Sequence, residues 1–241
     1  MSPPLVSLTS DFGTGSPYVA AMKARVLAGC PEAVLVDVSH SVPPFDISSA
    51  AFVVWAGTSE FPPGSVHLAV IDPGVGSQRR PVALEADGRW YVGPDNGIFG
   101  MLVAESRSAV RAVRLFRPAG ASATFEGRDV FAPAAAALAA GRPPESIGTA
   151  LESEPMALPP GPPSVLWVDN FGNLITSLRP PQRGVRVGGR EVRERARTYS
   201  EAPPATPFFY VGSLGLIEVG VREGRAADLL GAGSGTTVEA L

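Results

Sequence analysis

The sequence predicts an α/β domain followed by a small β-barrel domain. Short apolar runs alternate with helix-like segments over 5–140, and a dense group of prolines then interrupts the pattern. Beyond the prolines, apolar and polar residues alternate between glycine turns, without a long amphipathic helix. Alternating strands and helices are typical of a mainly parallel sheet covered on both faces. Short alternating strands between turns are typical of an all-β domain, here a barrel.

The N-terminal part is predicted to contain five strands and three helices. The strands are the short apolar or alternating runs 5–8, 34–38, 66–71, 82–86 and 89–92. The first helix spans 18–28, with Pro17 in its opening turn, where no backbone amide is needed. The second helix spans 46–56 and opens on an aspartate, a residue type that caps helices. The third begins near Asp129, continues through an alanine-rich run and ends at Gly141.

The domain boundary is placed at the prolines. Five of them fall within nine residues, from Pro155 to Pro163, and neither a helix nor a central strand tolerates that density. We therefore predict an N-terminal α/β domain over 1–151, a Pro-rich linker over 152–163 and a C-terminal β-barrel domain over 164–241.

Composition indicates a globular protein, with 45% hydrophobic and 18% charged residues. A formal net charge of −3 and the lack of a Lys/Arg-rich run argue against a nucleic-acid partner. The single cysteine, Cys30, cannot form an internal disulfide, which favours a reducing compartment. No signal-peptide pattern opens the sequence, and no apolar stretch approaches the roughly 18 residues that span a bilayer. We expect a soluble, cytoplasmic protein that does not bind membranes.

Two aspartates follow predicted strands at the point where each strand ends. Asp11 lies in Thr9-Ser-Asp-Phe-Gly13, and Asp72 opens the run Asp72-Pro-Gly-Val-Gly-Ser-Gln-Arg79. Ligands of open α/β sheets bind at the carboxyl ends of strands. Two carboxylates at strand ends, one followed by Arg79, therefore indicate a polar pocket for a small molecule. Either motif alone is also an ordinary turn sequence.

Several other motifs are incomplete. Asp-Phe-Gly at 11–13 matches the magnesium motif of kinases, but the Gly-rich and catalytic loops of kinases are missing. Gly74-Val-Gly76 lacks the third glycine of a dinucleotide fingerprint. With two histidines and one cysteine, no metal site is predicted. His67, inside a strand, is interpreted as a core histidine, and His40 as a residue that bonds its own loop.

Five further motifs follow in order along the chain. They are Val36-Asp-Val-Ser-His-Ser-Val-Pro-Pro-Phe-Asp46, Gly93-Pro-Asp-Asn-Gly97, Thr124-Phe-Glu-Gly-Arg-Asp-Val-Phe-Ala-Pro133, Asp169-Asn-Phe-Gly-Asn173 and Gly212-Ser-Leu-Gly-Leu-Ile-Glu218. Together with the two aspartate motifs they resemble the S-adenosyl-L-methionine (SAM) hydrolases, or SAM hydroxide adenosyltransferases, relatives of fluorinase and chlorinase. The resemblance implies hydrolysis of SAM at ribose C5′ to adenosine and L-methionine, without a metal or redox cofactor. It also implies a homotrimer with the site at the subunit boundary.

The resemblance further implies two groups of substrate-binding residues. Asp11 would accept hydrogen bonds from the ribose hydroxyls, because a carboxylate suits a vicinal diol. Phe45 would lie against the sugar. Further candidates to hold adenine or the methionine part are Phe125, Asp169, Phe171, Asn173, Tyr210, Ser213 and Glu218. Of these, Asp169 or Glu218 suits the α-ammonium group, and Asn173 suits the base or the amino-acid end.

The family's water-activating trio of Asp, Arg and His is matched at two positions, Asp72 and Arg79. At the third position the usual Thr-Phe-His-Gly-Arg-Asp is replaced by Thr124-Phe-Glu-Gly-Arg-Asp129, so Glu126 stands in the place of histidine. Three interpretations are open. Glu126 acts as a general base, or it is a tolerated change beside a sufficient Asp72 and Arg79, or the protein binds SAM or adenosine with little or no turnover.

The charge that Glu126 adds beside the substrate affects which of these alternatives is favoured. The positive sulfonium loses its charge as methionine leaves, so extra negative charge nearby stabilises the substrate more than the transition state. Arg79 must therefore offset Glu126. Two neighbouring carboxylates also raise the pKa of one of them, which makes that group a better base near neutral pH. A halogenase is disfavoured, because Asp72 and Glu126 would repel a halide and the halide-binding relatives have an uncharged residue at the position of Asp72.

Overall fold

The computed structural model describes residues 2–159 and 161–241. They form two compact units, and the division falls between residues 159 and 160. The N-terminal unit is a mixed α/β structure, and the C-terminal unit consists mainly of short strands.

A seven-stranded sheet forms the frame of the described N-terminal unit. Its strands are β1 (Leu5–Ser10), β2 (Val34–Ser39), β3 (Val66–Val70), β4 (Pro81–Ala86), β5 (Arg89–Pro94), β6 (Arg111–Leu115) and β7 (Gly148–Ala150). Their order across the sheet is β2-β1-β3-β5-β4-β6-β7. Strands β2, β1, β3 and β5 pair in parallel, whereas β4, β6 and β7 continue the sheet with antiparallel pairings. The sheet is therefore mixed, and the prediction of a mainly parallel sheet is right for its first half only.

The strand direction changes at a two-residue hairpin. Asp87 and Gly88 join β4 to β5, and both have positive φ, 49° and 73°. That backbone is the one a type I′ turn requires, and the twist of this turn matches that of two antiparallel strands. The Asp87 carboxylate also accepts hydrogen bonds from the amides of Arg107 and Ser108, each at 3.0 Å.

The helices of this unit are α1 (Pro17–Gly29), α2 (Ile47–Thr58), α3 (Gly100–Glu105) and α4 (Ala132–Ala139). The predicted helices at 18–28 and 46–56 are confirmed. Asp46 caps α2, because its side chain accepts a hydrogen bond from the Ser49 amide at 2.9 Å. The third predicted helix is preceded by a π-helical turn, Gly127–Phe131, so the helical segment begins two residues before Asp129.

The two faces of the sheet bury different side chains. Val6 and Leu68 belong to the apolar core that also contains residues of α1 and α4. His67 precedes Leu68 in β3, so its side chain points to the opposite face of the sheet. There its Nδ1 lies 2.7 Å from Ser7 Oγ and its Nε2 lies 2.9 Å from Ser65 Oγ. Burial lowers the pKa of His67 to about 3. The interpretation of His67 as a hydrogen-bonded core histidine is confirmed.

Part of the Pro-rich segment is tied to the N-terminal unit. Arg80 Nε donates to Asp95 Oδ2 at 2.7 Å, and the same guanidinium donates to Ser153 Oγ and to the Glu154 carbonyl. The other Asp95 oxygen accepts the Met156 amide at 2.6 Å. These residues of the predicted linker therefore have fixed contacts just beyond the end of β5.

The C-terminal unit contains two sheets. Its strands are β8 (Val165–Val168), β9 (Leu174–Thr176), β10 (Val185–Val187), β11 (Arg190–Val192), β12 (Glu194–Arg195), β13 (Pro207–Val211), β14 (Ile217–Val221) and β15 (Val238–Ala240). The sheet orders are β11-β10-β15 and β12-β13-β14-β9-β8. A short helix, α5 (Ala226–Leu230), lies between β14 and β15 in sequence. Both sheets contribute to one apolar core, for example through Val185 and Phe209. No helix in the described parts of the chain is long and apolar enough to cross a membrane.

Candidate active site

One edge of the N-terminal sheet collects the predicted polar residues. The parallel strands β1 and β3 end there, and Asp11 and Asp72 follow them. Strand β4 runs in the opposite direction, so Arg79 precedes its amino end at the same edge. Strand β6 is antiparallel to β4 and therefore also ends there, with Arg117 two residues beyond it.

Asp72 and Arg79 form a buried bidentate ion pair. Arg79 Nε donates to Asp72 Oδ1 at 2.9 Å, and Arg79 Nη2 donates to Asp72 Oδ2. Only 6% of the Asp72 side chain and 8% of the Arg79 side chain are exposed. The Arg79 guanidinium also lies 5.1 Å from the ring centre of Phe131. Arg80 is paired with Asp95 instead, so the partner of Asp72 is Arg79, as the spacing predicts.

A glycine allows the Asp72–Arg79 loop to approach the segment that carries Glu126. Gly76 has a φ of 79°, a conformation that favours glycine. A Cβ atom at this position would lie 2.9 Å from the carbonyl oxygen of Ala123. The loop and the segment before Glu126 can therefore pack this closely only without a side chain at residue 76.

Glu126 lies between two arginines. It immediately precedes the π-helical turn, a conformation that is frequent at functional sites. Arg79 Nη2 is 2.5 Å from Glu126 Oε2, an ion-pair contact without hydrogen-bond geometry. Arg117 Nε donates to Glu126 Oε1 at 2.6 Å, and Arg117 Nη2 donates to the Arg79 carbonyl at 2.9 Å. Sequence reasoning predicted Arg79 as the counter-charge of Glu126 but missed Arg117.

The surroundings of Asp72 shift its proton affinity. Burial raises the pKa of Asp72 above its ordinary value of 3.8, and the nearby charge of Glu126 raises it further. The hydrogen bonds and charge of Arg79 act in the opposite direction but do not cancel the rise in the pKa. Among the described residues, Arg79 Nη1 and Glu126 Oε2 are buried without a hydrogen-bond partner. Such groups are uncommon in folded proteins and are often found where a ligand or water binds.

The predicted residues of this unit, except Arg79, line one cavity of about 240 Å³. Its walls are formed by Asp11, Phe12, Pro44, Phe45, Val70, Asp72, Val75, Thr124, Phe125, Glu126 and Gly127. The structure therefore brings together Asp11, Phe45, Asp72, Phe125 and Glu126, which lie in four separate motifs of the sequence.

Asp11 and Phe45 are linked directly, since Asp11 Oδ2 accepts the Phe45 amide at 3.1 Å. Phe45 has a φ of 66°, and its side chain is largely exposed at the cavity wall, with 71% of the residue accessible. Behind Asp11, Ser10 Oγ lies 2.7 Å from His40 Nδ1, and His40 Nε2 lies 3.0 Å from Asp37 Oδ1. The His40 side chain thus bonds the end of β1 and Asp37 of β2, not its own loop as predicted.

Phe125 is held in an aromatic group. Its ring centre is 5.2 Å from that of Tyr18 and 6.1 Å from that of Phe12, both in edge-to-face geometry. The guanidinium of Arg128 lies 5.1 Å from its ring centre. These contacts fix the orientation of an aromatic wall of the cavity.

Three predicted residues of the C-terminal unit form one turn. Asp169 accepts hydrogen bonds from the amide of Phe171 at 2.9 Å and from the amide and side chain of Asn173 at 2.8 and 2.7 Å. Phe171 and Asn173 line a second cavity of about 450 Å³ together with Tyr199. Phe171 is 76% exposed. The Asp169 carboxylate therefore holds the turn that presents Phe171.

Tyr210 and Glu218 form a neighbouring pair. The Tyr210 hydroxyl donates to Glu218 Oε2 at 2.7 Å and lies 2.8 Å from the hydroxyl of Tyr199, which lines the second cavity with Asn173. Burial raises the pKa of Glu218, and the charge of Asp169 adds to the rise. Tyr199, which sequence reasoning missed, therefore connects the two groups. Ser213 lies exposed between β13 and β14.

The described residues include no group of three or more His, Cys, Asp or Glu side chains arranged to hold a metal ion. The functional groups of the two cavities are carboxylates, arginines and aromatic rings, which suit an organic, partly charged ligand.

The α/β unit carries a carboxylate–arginine cluster at its strand ends, and a β unit follows it. This arrangement suits an enzyme that acts on a small molecule. The comparison with known families agrees, and the chain belongs to the SAM hydroxide adenosyltransferase family. The model of the family's N-terminal domain matches residues 6–148, and the model of its C-terminal domain matches residues 163–239.

Individual relatives agree with this assignment. The chain is 46% identical to an (R)-S-adenosyl-L-methionine hydrolase of Thermus thermophilus, over 98% of this chain and 99% of the relative. Three further relatives, 38% to 41% identical, carry the same name. A fluorinase of an Actinoplanes species is 29% identical over 74% of this chain and 69% of its own. The solved structure of an uncharacterised Thermotoga maritima protein superposes with a TM-score of 0.91 at 29% identity, over 98% of this chain and 100% of that one.

Proposed function

We propose that the protein hydrolyses SAM at ribose C5′ to adenosine and L-methionine, and that the R sulfonium epimer is its preferred substrate. The observation that carries this proposal is the buried Asp72–Arg79–Glu126 cluster, whose two carboxylates line the same cavity as Asp11. The names of the relatives support both the reaction and the epimer.

The cluster can activate water without another reagent. A water oxygen attacks C5′ in line with the carbon–sulfur bond, and the electrons of that bond pass to sulfur, which leaves as neutral methionine. The proton lost by the water passes to Asp72, and no atom is oxidised or reduced. The raised pKa of Asp72 makes it a stronger base than an ordinary aspartate, while the two hydrogen bonds from Arg79 hold its carboxylate in one orientation.

The remaining predicted residues are proposed to hold the substrate. Asp11 accepts the ribose hydroxyls, and Phe45 and Phe125 contact the nucleoside. In the C-terminal unit, Phe171, Asn173 and Glu218 are proposed to hold the base and the methionine end, with Asp169, Tyr210 and Ser213 beside them. We further propose that this unit is a barrel and that the protein is a cytoplasmic homotrimer whose site is completed at a subunit boundary.

Hydrolysis is favoured over transfer of a halide, although the fluorinases are relatives. Asp72 and Glu126 are both buried carboxylates of the cavity wall. At 4 Å, one such charge repels a halide by about 4 kcal/mol at an effective dielectric constant near 20, a repulsion that Arg79 and Arg117 reduce but that bound water does not experience. Water carries no charge and can donate a hydrogen bond to either carboxylate.

The test is incubation of the purified protein with (R)-SAM and (S)-SAM separately, in water enriched in oxygen-18. Chromatography with mass detection should show adenosine that carries the label in its 5′-hydroxyl group, formed faster from the R epimer. Added chloride or fluoride should yield no halogenated adenosine. SAM binding by calorimetry without adenosine formation would instead show a binding protein, and faster turnover of (S)-SAM would overturn the epimer assignment.

A further inference from the structure

The proposed catalytic cluster contains more negative than positive charge if only its predicted members are counted. Asp72 and Glu126 supply two carboxylates, and Arg79 supplies one cation, all of them nearly enclosed. A buried carboxylate without a counter-charge is costly. Net negative charge beside the sulfonium would also favour bound substrate over the transition state.

Arg117 supplies the missing positive charge. Its Nε donates to Glu126 Oε1 at 2.6 Å, and its Nη2 donates to the carbonyl of Arg79 at 2.9 Å. Two donors of one planar guanidinium are thus fixed to two parts of the cluster, a geometry that lysine cannot reproduce. The side chain is 35% exposed, so Arg117 closes the cluster from its solvent side.

The other charged groups near the cluster do not fill this role. Arg128 and Asp129, which follow Glu126 on the π-helical turn, pair with each other at 2.7 Å. Asp11, in the wall of the same cavity, adds a further carboxylate. Arg79 is shared between Asp72 and Glu126.

We propose that Arg117 is a positioning residue for the proposed hydrolysis. It neutralises Glu126 and holds that carboxylate in place, so that the charge and hydrogen bonds of Arg79 remain directed at Asp72. The inference rests on the proposed function. It implies that residues 117 and 126 work as a unit, and that the cation at 117 is needed because residue 126 is a carboxylate.

A double-mutant cycle tests this dependence. The four proteins are the wild type, Arg117→Ala, Glu126→His and the double variant, assayed at pH 8, where the histidine is neutral. Arg117→Ala should lower kcat/KM roughly 10–100-fold, the range for loss of one charge-assisted hydrogen bond. It should also move the acid limb of the pH profile upward, because unshielded Glu126 raises the pKa of Asp72. In the Glu126→His background the loss should shrink to less than about threefold.

Two further variants sharpen the cycle. Arg117→Lys should recover part of the lost activity, since it restores the charge but not the two-point geometry. Arg114→Ala removes an exposed arginine from the same strand, β6, and should leave kcat/KM unchanged. An equal loss from Arg117→Ala in both backgrounds, or wild-type activity and pH profile in Arg117→Ala, would overturn the proposal.

Thermal unfolding of the same four proteins separates this inference from the proposed function. If the wild type forms no adenosine from either epimer, the proposed function fails, but the unfolding cycle still measures the pair. Arg117→Ala should then lower Tm in the Glu126 background and much less in the Glu126→His background. The same decrease in both backgrounds would refute the coupling of residues 117 and 126.

Discussion

Replacement of Asp72 by asparagine removes the proposed base and exchanges one carboxylate oxygen for an amide nitrogen. The amide oxygen can still accept from Arg79 Nε at the 2.9 Å position of Oδ1. The amide nitrogen would face Arg79 Nη2, so that two donors oppose each other. The variant therefore lacks the carboxylate that accepts the proton. It also lacks one of the two hydrogen bonds by which Arg79 orients the side chain at position 72.

The size of the effect follows from these contacts. Loss of a positioned base lowers kcat by roughly 10²–10⁴-fold, which equals about 2.7–5.4 kcal/mol of transition-state stabilisation. Breaking a buried ion pair can cost about 3–5 kcal/mol of stability. Arg79 keeps its contact with Glu126, so we expect a smaller decrease in the unfolding free energy, about 1–3 kcal/mol.

The pH dependence has a defined sign. Catalysis needs ionised Asp72, so the acid limb of the wild-type rate should lie above the ordinary aspartate value of 3.8. The folded state holds this proton more tightly than the unfolded state. Ionisation of Asp72 therefore lowers stability as the pH rises from 3.8 through the raised pKa, and the Asn variant should lack that contribution.

The assay is adenosine formation at saturating (R)-SAM, with urea unfolding and adenosine calorimetry on the same preparations. Asp95→Asn is the matched control, because Asp95 is also buried, also pairs with an arginine and also follows a strand of the same sheet. It should lose stability but keep its turnover within about threefold of the wild type. An Asp72→Asn variant with kcat within about threefold of the wild type would refute the assignment of Asp72 as the base.

The other predictions concern three residues, Glu126, Asp11 and His67. Glu126→His should keep activity of the same order. It should move the acid limb downward if Asp72 is the base, because the charge of Glu126 that raises the Asp72 pKa is lost, and upward if residue 126 is itself the base, because a histidine base loses its proton at higher pH than a carboxylate. Glu126→Gln should lose roughly 10²–10⁴-fold in kcat if Glu126 is a base, and a fully active Gln variant would mean that it only shapes the pocket. Asp11→Asn should weaken adenosine binding by roughly 1.5–3 kcal/mol and methionine binding far less, and equal losses in calorimetry would exclude the ribose clamp. For His67, whose pKa is lowered to about 3, the unfolded state binds the proton more tightly, so stability should fall as the pH drops from about 6.5 towards 3. His67→Gln should flatten this slope in urea unfolding, and an unchanged slope would show that another group causes it.

The sequence predicted the first five strands from their short apolar or alternating runs, and the three main helices from the residues that begin and end them. It did not predict the direction of the sheet beyond β5, although Asp87-Gly88 between two strands is a signal for an antiparallel hairpin. The strands β6 and β7 were missed. Their alternation is weak, since Arg111 and Arg114 are exposed on β6 and β7 has only three residues.

The missed strand explains the missed arginine. Asp11 and Asp72 were predicted as site residues because they lie just beyond the ends of strands. Arg117 lies in the same position relative to β6, a strand that the sequence did not predict. Tyr199 was missed for a different reason. Its hydrogen-bond partner Tyr210 and its cavity neighbour Asn173 lie at distant positions in the sequence, and no local pattern joins them. The pairing of Asp72 with Arg79 was predictable because a single short loop carries both residues.

The two adjacent arginines before β4 give this loop a constraint on its length. Arg79 is bound to Asp72, whereas Arg80 is bound to Asp95 and, through it, to the segment at 153–156. Inserting or deleting one residue between Gly74 and Arg79 would exchange the directions of the two guanidinium groups, because neighbouring residues of an extended chain point to opposite sides. Asp72 would then face Arg80 and Asp95 would face Arg79, so the contact of Arg79 with Glu126 and those of Arg80 with Ser153 and Glu154 would be lost. Besides Gly76, which cannot carry a side chain, the number of residues in this loop is therefore a constraint of its own, independent of which side chains the loop carries.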